Sequence, residues 1–212
     1  MIGFDINKEN DYWNKYWAKN TNPFEPSLFA KFILAYLKPD VQLCELGCGN
    51  GRDAVFFNAN GIEVDAYDLA AEEIAFLNNT HSNSKLHFWV GDFSKLPISQ
   101  NKYDAVYSLF TIHSLTEQQE NAVLDWVCSA LKDGGILFVE SRSVNDPLLQ
   151  TGEKLSAQEN FTDHYRRYMD AKKFKAKLLA RGFKIAYMEE SDQFAPYNGE
   201  TPMIVRVIAR KD

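Results

Sequence analysis

The 212-residue chain has no apolar run long enough to cross a bilayer. Its longest runs are strand-sized, whereas a spanning helix needs about 20 consecutive apolar residues. The N-terminal stretch MIGFDINKENDYWNKYW is polar and aromatic, without the apolar centre of a signal peptide. Cysteine is scarce: Cys44, Cys48 and Cys128 cannot all pair, and a bridge between the first two would strain the glycine turn they flank. These features lead to the expectation of a reducing, cytoplasmic location with no membrane partner. Basic charge is also short, with 23 Lys and Arg against 29 Asp and Glu and a net charge of −6. A general nucleic-acid binder carries a basic face, so no nucleic-acid partner is expected. The His, Cys and Asp residues lack metal-ligand spacing, so no metal is expected either. With no repeat, low-complexity tract or linker, residues 1–212 read as one domain.

What is present is an alternation of strand and helix patterns. Strands are expected at 41–46, 62–67, 86–90, 103–110, 136–141, 183–189 and 202–210. A helix is expected from about Arg52, with Val55 and Phe56 facing inward, and another over 71–79. Thr116 and Gln119 form a capping-box pair. The helix they open carries Val123, Val127, Ala130 and Leu131 on one stripe and is expected to stop at Asp133–Gly135. Asp170 caps a helix bearing Phe174, Leu178 and Leu179, closed by Gly182. Such alternation predicts an α/β fold with a doubly wound, mostly parallel seven-stranded sheet. The last two strands, with no helix between them, imply one antiparallel strand. Residues 1–38 and 142–169 fall outside the sheet pattern. Both are expected to cover the carboxyl edge of the strands, the first as an N-terminal cap and the second as an insertion on the acceptor side.

Between strand and helix stands LCELGCGNGRD, with Gly47, Gly49 and Gly51 behind Glu45. A strand, a glycine turn and a helix N-terminus let a ligand approach backbone closely. A dinucleotide site would want G-x-G-x-x-G, and here the third glycine position is Arg52. Two acids follow at strand ends: Asp68, whose carboxylate can accept two ribose hydroxyls, and Asp92 within Gly91-Asp92-Phe93. Singly, the glycines make a plain turn and the acids plain helix caps.

Together, E-x-G-x-G-x-G, Asp68 and GDF resemble the signature of class I S-adenosylmethionine-dependent methyltransferases, over residues 40–140 most strongly. The resemblance implies a Rossmann-like methyltransferase fold, S-adenosyl-L-methionine as donor and S-adenosyl-L-homocysteine as product. Glu45, Gly47, Gly49, Gly51 and Asp68 would hold the donor. Asp92 would bond the adenine amino group, Phe93 and Leu69 would flank the ring, and Phe110 would border the sulfonium. Trp13 and Trp17, which with Tyr16 share a helical face, would close as an aromatic lid over the donor. Plain core packing is the alternative for such a stripe.

His113 is the candidate base or acceptor ligand, titratable near neutral pH. A structural histidine is the rival reading. Paired arginines in an acidic chain suit a carboxylate or phosphate, which makes Arg142, His164, Tyr165, Arg166, Arg167 and Tyr197 candidate acceptor contacts, with Asp146 completing the pocket. Their rival reading is a salt-bridged surface. The chain resembles small bacterial methyltransferases that modify surface-polysaccharide building blocks, or those of the tellurite-resistance type. A small anionic acceptor is therefore expected, such as a sugar, a sugar nucleotide or a phosphoryl compound, with capsular polysaccharide biosynthesis as one setting, and the protein as monomer or homodimer. The alternatives are a non-catalytic S-adenosylmethionine-binding protein and an NAD-dependent oxidoreductase.

Overall fold

The structure, a computed structural model, describes residues 6–19, 25–97, 99–197 and 199–212, with backbone alone for 6–10. Residues 1–5 and 20–24 of the expected cap therefore lie outside the described residues. Helix α1 (Ile6–Trp17) and α2 (Leu28–Ile33) precede β1 (Gln42–Leu46), α3 (Arg52–Ala59), β2 (Glu63–Asp68), α4 (Ala71–Thr80) and β3 (Leu86–Val90). Then come β4 (Tyr103–Leu109), α5 (Glu117–Ala130) and β5 (Leu131–Arg142). Three short strands follow, β6 (Glu153–Lys154), β7 (Glu159–Phe161) and β8 (Tyr165–Arg167), before α6 (Ala171–Leu179), β9 (Phe183–Ser191) and β10 (Ile204–Lys211).

The main sheet has seven strands in the order β3-β2-β1-β4-β5-β10-β9. β1 to β5 pair in parallel, and β10 runs antiparallel to both β5 and β9. The expected doubly wound sheet is thus observed. Strand order reverses between β1 and β4, and ligands of open α/β sheets lie beyond the carboxyl ends at such a switch point. Alternation along each strand divides the core. Leu43, Ala105, Tyr107 and Phe138 face one layer, with Phe29, Ala54 and Phe57. Val106, Leu137, Val139 and Val207 face the other, with Val127, Phe174 and Leu178.

The sequence-derived caps are present: Ser27 on α2, the reciprocal Thr116–Gln119 box on α5, and Asp170 on α6. Three expectations change. On α3 the buried positions are Asp53, Ala54 and Phe57, while Val55 and Phe56 are half-buried. The helix begins at Arg52, so its inward face is set by 53 and its neighbours three to four residues on. Asp133–Gly135 does not stop α5, which ends at Ala130; Leu131 is already extended and opens β5. The Asp-Gly-Gly residues form an irregularity inside β5, where pairing jumps from Tyr103↔Leu131 to Ala105↔Ile136 and Gly134 takes φ 75°. Finally, 142–169, expected only to fall outside the main sheet pattern, has secondary structure of its own. It holds the antiparallel sheet β6-β7-β8, whose strands are too short to register as periodicity.

Candidate functional site

The glycine turn leaves β1 under tight constraint. Gly47, Gly49 and Gly51 all have positive φ (76°, 52° and 72°), a region costly for any residue with a Cβ. The amides of Gly47 and Cys48 donate to the Tyr67 carbonyl on β2. A Cβ on Gly47 would sit 2.1 Å from Thr111 Cγ2, and one on Gly49 would sit 2.2 Å from the Trp17 ring. Gly51 differs: its missing side chain makes room for Leu77 and Phe88, so it serves helix-on-sheet packing. Of the three, Gly47 borders the cavity that opens here, beside Cys48 and Asn50.

That cavity encloses about 1120 Å³, above the roughly 300–1,000 Å³ usual for a single small-ligand pocket. One end holds the acids. Asp68 is buried at the tip of β2; Oδ2 accepts from Gly49 N (2.8 Å) and Oδ1 from Ala70 N (2.9 Å). It thereby fastens the glycine turn to the start of α4, and burial pushes its carboxyl up. Glu45 is buried with Oε2 unpartnered, and burial, then the nearby Asp53, push its carboxyl well above the usual range. Leu69 and Phe93 line the same end. Asp92 borders it too while capping the 3-10 turn Phe93–Lys95: Oδ1 accepts from Ser94 N and Oγ, and Oδ2 pairs with Lys95. Phe110, just past β4, takes φ 55° and donates its amide to the Glu140 carbonyl. Left-handed backbone at a bulky residue is uncommon, and it turns Phe110 onto the cavity wall.

The other end is basic and aromatic. His113 and His164 both border the cavity, each at least nine-tenths buried, their ring centroids 6.2 Å apart. Burial, then the charges of His164, Arg166 and Arg142, hold His113 well below the ordinary histidine range. His164 and Arg166 face inward from the hairpin end and β8, and Arg142 from the end of β5. Tyr165 and Arg167 do not, contrary to expectation. Alternate residues of a strand point to opposite sides. Tyr165 donates its hydroxyl to Glu159, and Arg167 bonds the Leu115 carbonyl (3.0 Å) and pairs with Glu120 in the interior. Asp146 likewise stays behind the wall, holding Arg142 at 2.9 Å.

α1 roofs the space between these ends. Tyr12 and Trp13 pack on His164 with tilted rings (4.5 and 4.9 Å between centroids), and Trp17 lies on Gly49. Tyr12 donates to Asp163 at 2.5 Å. Tyr197, largely exposed, borders the rim with Phe194; its loop neighbour Asn198 lies outside the described residues.

Two groups escaped sequence reading. Asp53 accepts from Ser27 N, Ser27 Oγ and Tyr107 OH, each at 2.8 Å, tying α2 and β4 to α3. Glu140 and Arg206 are register partners on β5 and β10, joined at 2.6 Å, and Glu140 borders the cavity. Burial raises the Glu140 carboxyl to about 7 against the opposing pull of Arg206. The guanidinium lies 4.0–5.2 Å from the rings of Phe194, Phe32 and Phe29. The available signal was a charge set among apolar residues in each of two strands, Glu140 in ILFVES and Arg206 in PMIVRVIAR. Among the described residues no group of three or more His, Cys, Asp or Glu is placed to hold a metal, and no helix is long and apolar enough to cross a membrane.

A family model described as a methyltransferase domain matches residues 2–187. The chain is 27% identical over 150 residues to a probable S-adenosyl-L-methionine-dependent methyltransferase, TehB, of Haemophilus influenzae, covering 68% of this chain and 49% of that protein. It is 31% identical over 110 residues to sterol 24-C-methyltransferase ERG6B of Gibberella zeae, covering 49% of this chain and 28% of that one. The chain thus spans half or less of the length of these curated relatives. Among solved structures, a SAM-dependent methyltransferase of Methanosarcina mazei superposes with a TM-score of 0.73 at 16% identity, covering 90% of this chain and 99% of that one. At that identity the likeness is one of fold.

Proposed function

The chain belongs to the methyltransferase-domain family, and from that premise we propose that it moves the methyl group of S-adenosylmethionine to a small acceptor carrying an anionic group. The carrying observation is one cavity, large enough for two ligands, with Glu45 and Asp68 towards one end and His113, His164 and the aspartate-paired Arg142 and Arg166 towards the other. The acidic end suits the donor on its own chemistry. Gly47 presents bare backbone at the cavity wall, and Thr111 packs where its Cβ would be. Glu45 Oε2 is a buried acceptor atom without a partner, and the donor brings cationic groups. Asp68 accepts the amides of Gly49 and Ala70, with the Leu69 amide also acting on it, and a carboxylate's roughly four acceptor positions leave the remainder for ribose hydroxyls. Asp92 and the Phe93 and Leu69 side chains would receive the adenine. The relative from Haemophilus influenzae, a probable S-adenosyl-L-methionine-dependent methyltransferase, supports the same donor.

When bound, the donor supplies an electrophilic methyl on sulfonium. The chain's part is alignment and exclusion of water. Phe110 and the α1 aromatics wall off the transfer zone, with the described part of residues 1–38 acting as cap and 142–169 as the acceptor-side wall. His113 contacts the acceptor's reacting end. Arg142 and Arg166 each give NH1 to a carboxylate, Asp146 and Asp163, and keep further N–H donors for an anion. The narrower choice among sugar, sugar nucleotide and phosphoryl acceptors, and a role in surface-polysaccharide assembly, rests on sequence resemblance alone.

Calorimetric titration with S-adenosylmethionine, S-adenosylhomocysteine and NADH tests the donor. Binding of both adenosyl ligands with NADH silent is expected; NADH binding alone would favour an oxidoreductase, and adenosyl binding without turnover of any acceptor would favour a non-catalytic binding protein. Arg142→Ala and Arg166→Ala are each expected to raise the acceptor's KM about tenfold, the lower end for a charge-assisted hydrogen bond, with little change in kcat. Unchanged kinetics would reduce both to wall residues.

A further inference from the structure

We propose that His164, backed by Asp163, is the base that takes a proton from a hydroxyl of the acceptor, so that the chain makes methyl ethers of hydroxylated acids. The proposal rests on the methyl-donor reading above.

Three ring nitrogens in the cavity wall are buried without a hydrogen-bond partner, Nδ1 of His113 and both nitrogens of His164. Buried polar atoms are nearly always paired, so both side chains ask for a ligand. What stands behind them differs. His164 Nδ1 is 3.3 Å from Asp163 Oδ1, within charge-pair distance though not aligned as a hydrogen bond. Asp163 in turn accepts from Tyr12, Thr162 and Arg166. Its approach to His164, followed by these donors, holds its carboxyl far below the usual range and therefore ionised. An anion beside Nδ1 favours the proton there, leaves Nε2 as the nitrogen with the lone pair, and steadies the imidazolium once formed. The Tyr12 and Trp13 rings fix the imidazole plane from α1. No carboxylate stands at such a distance from His113 among the described residues; its charged neighbours are His164, Arg166 and Arg142, with Asp163 the weakest influence.

Burial favours the free-base form. It lowers the His164 pKa against the pull of Asp163, with Arg166 and Arg142 adding to the lowering. The groups facing it are thus Tyr12 and Trp13 from α1, His113 from the turn after β4, Arg142 from β5, and Asp163 and Arg166 from its own hairpin. The chemistry balances. The hydroxyl oxygen forms the O–CH3 bond as the CH3–S bond breaks and its electron pair stays on sulfur. The hydroxyl proton goes to His164 Nε2 and later to solvent. An acid group on the same acceptor takes the remaining donors of Arg142 and Arg166.

Two measurements test this. The first is long-range proton–nitrogen NMR of histidine-labelled protein with S-adenosylhomocysteine added. It should show an Nδ1–H imidazole whose signal vanishes in His164→Gln and shifts in Asp163→Asn. The second compares methylation of 4-hydroxybenzoate with that of 4-hydroxy-3-nitrobenzoate, whose phenol is already ionised at the assay pH. His164→Gln should slow the first at least about a hundredfold, the lower bound of general-base catalysis, and leave the second nearly unchanged; His113→Gln should affect both alike. Equal losses on both probes in His164→Gln, an Nε2–H tautomer in the unaltered protein, or no transfer to either probe by protein that binds S-adenosylhomocysteine would each overturn the base assignment. Failure to bind S-adenosylhomocysteine at all would overturn the donor reading instead.

Discussion

Asp68→Ala is expected to weaken S-adenosylmethionine and S-adenosylhomocysteine binding by at least about a hundredfold. Two charge-assisted hydrogen bonds to ribose hydroxyls, at about 1.5–3 kcal/mol each, correspond to roughly 10²–10⁴ in affinity. The structure adds a second cost. The same carboxylate accepts the amides of Gly49 and Ala70, and a buried amide left without its acceptor costs about 1–3 kcal/mol. Melting should therefore fall by several degrees, which reading the sequence as a simple ligand contact did not anticipate. Asp68→Asn separates the two effects. Its amide oxygen can keep one backbone bond while the charge is lost, so most of the stability should return and most of the affinity should not. Isothermal titration beside thermal melting reads both. If both variants melt early and yet bind S-adenosylhomocysteine like the unaltered protein, Asp68 is a staple of the turn and the ribose assignment fails.

Arg167→Met is expected to lower the melting temperature by roughly 6–12 °C while leaving donor affinity and acceptor KM unchanged below the transition. Arg167 and Glu120 are both buried and paired. Removing one partner of a buried pair costs about 3–5 kcal/mol, and in a chain of this size each kcal/mol is worth about 2–4 °C. Lys177 also reaches Glu120 at 2.7 Å, which keeps the carboxylate partly compensated and selects the lower end, about 3 kcal/mol. Replacing both residues by leucine should recover much of the loss, because the desolvation cost of two charges disappears with them. Thermal melts of the single and double variants check this. A raised acceptor KM in Arg167→Met at full stability would return the residue to the acceptor site, where the sequence alone had placed it beside Arg166.

The contrast between Arg166 and Arg167 marks where sequence reading ran out. The run DHYRRYMD announces a basic, aromatic cluster, and that much was legible. Which members face the cavity depends on the register of a three-residue strand; a shift of one residue would exchange His164 and Arg166 for Tyr165 and Arg167. Three residues carry too little periodicity to fix that choice. The partners that fix it, Glu120, Leu115 and Glu159, come from other elements. Glu140 and Arg206 make the same point over 66 residues. Each is visible as a charge flanked by apolar residues, but their meeting needs β10 inserted antiparallel beside β5. The placement of α1, with Trp17 on Gly49 and Tyr12 on Asp163, is also a long-range outcome.

By itself the sequence determined the alternating elements, the helix caps, the glycine turn and the acids at the ends of β2 and β3. These follow from two- and 3.6-residue periods, from hydrogen bonds spanning two to four residues, and from backbone that tolerates no Cβ, all of which act between near neighbours. The tertiary structure alone decided which side chains share the cavity, which charges neutralise one another, and which histidine has a carboxylate behind it. Those relations depend on strand order and register, and they join residues that the chain keeps far apart.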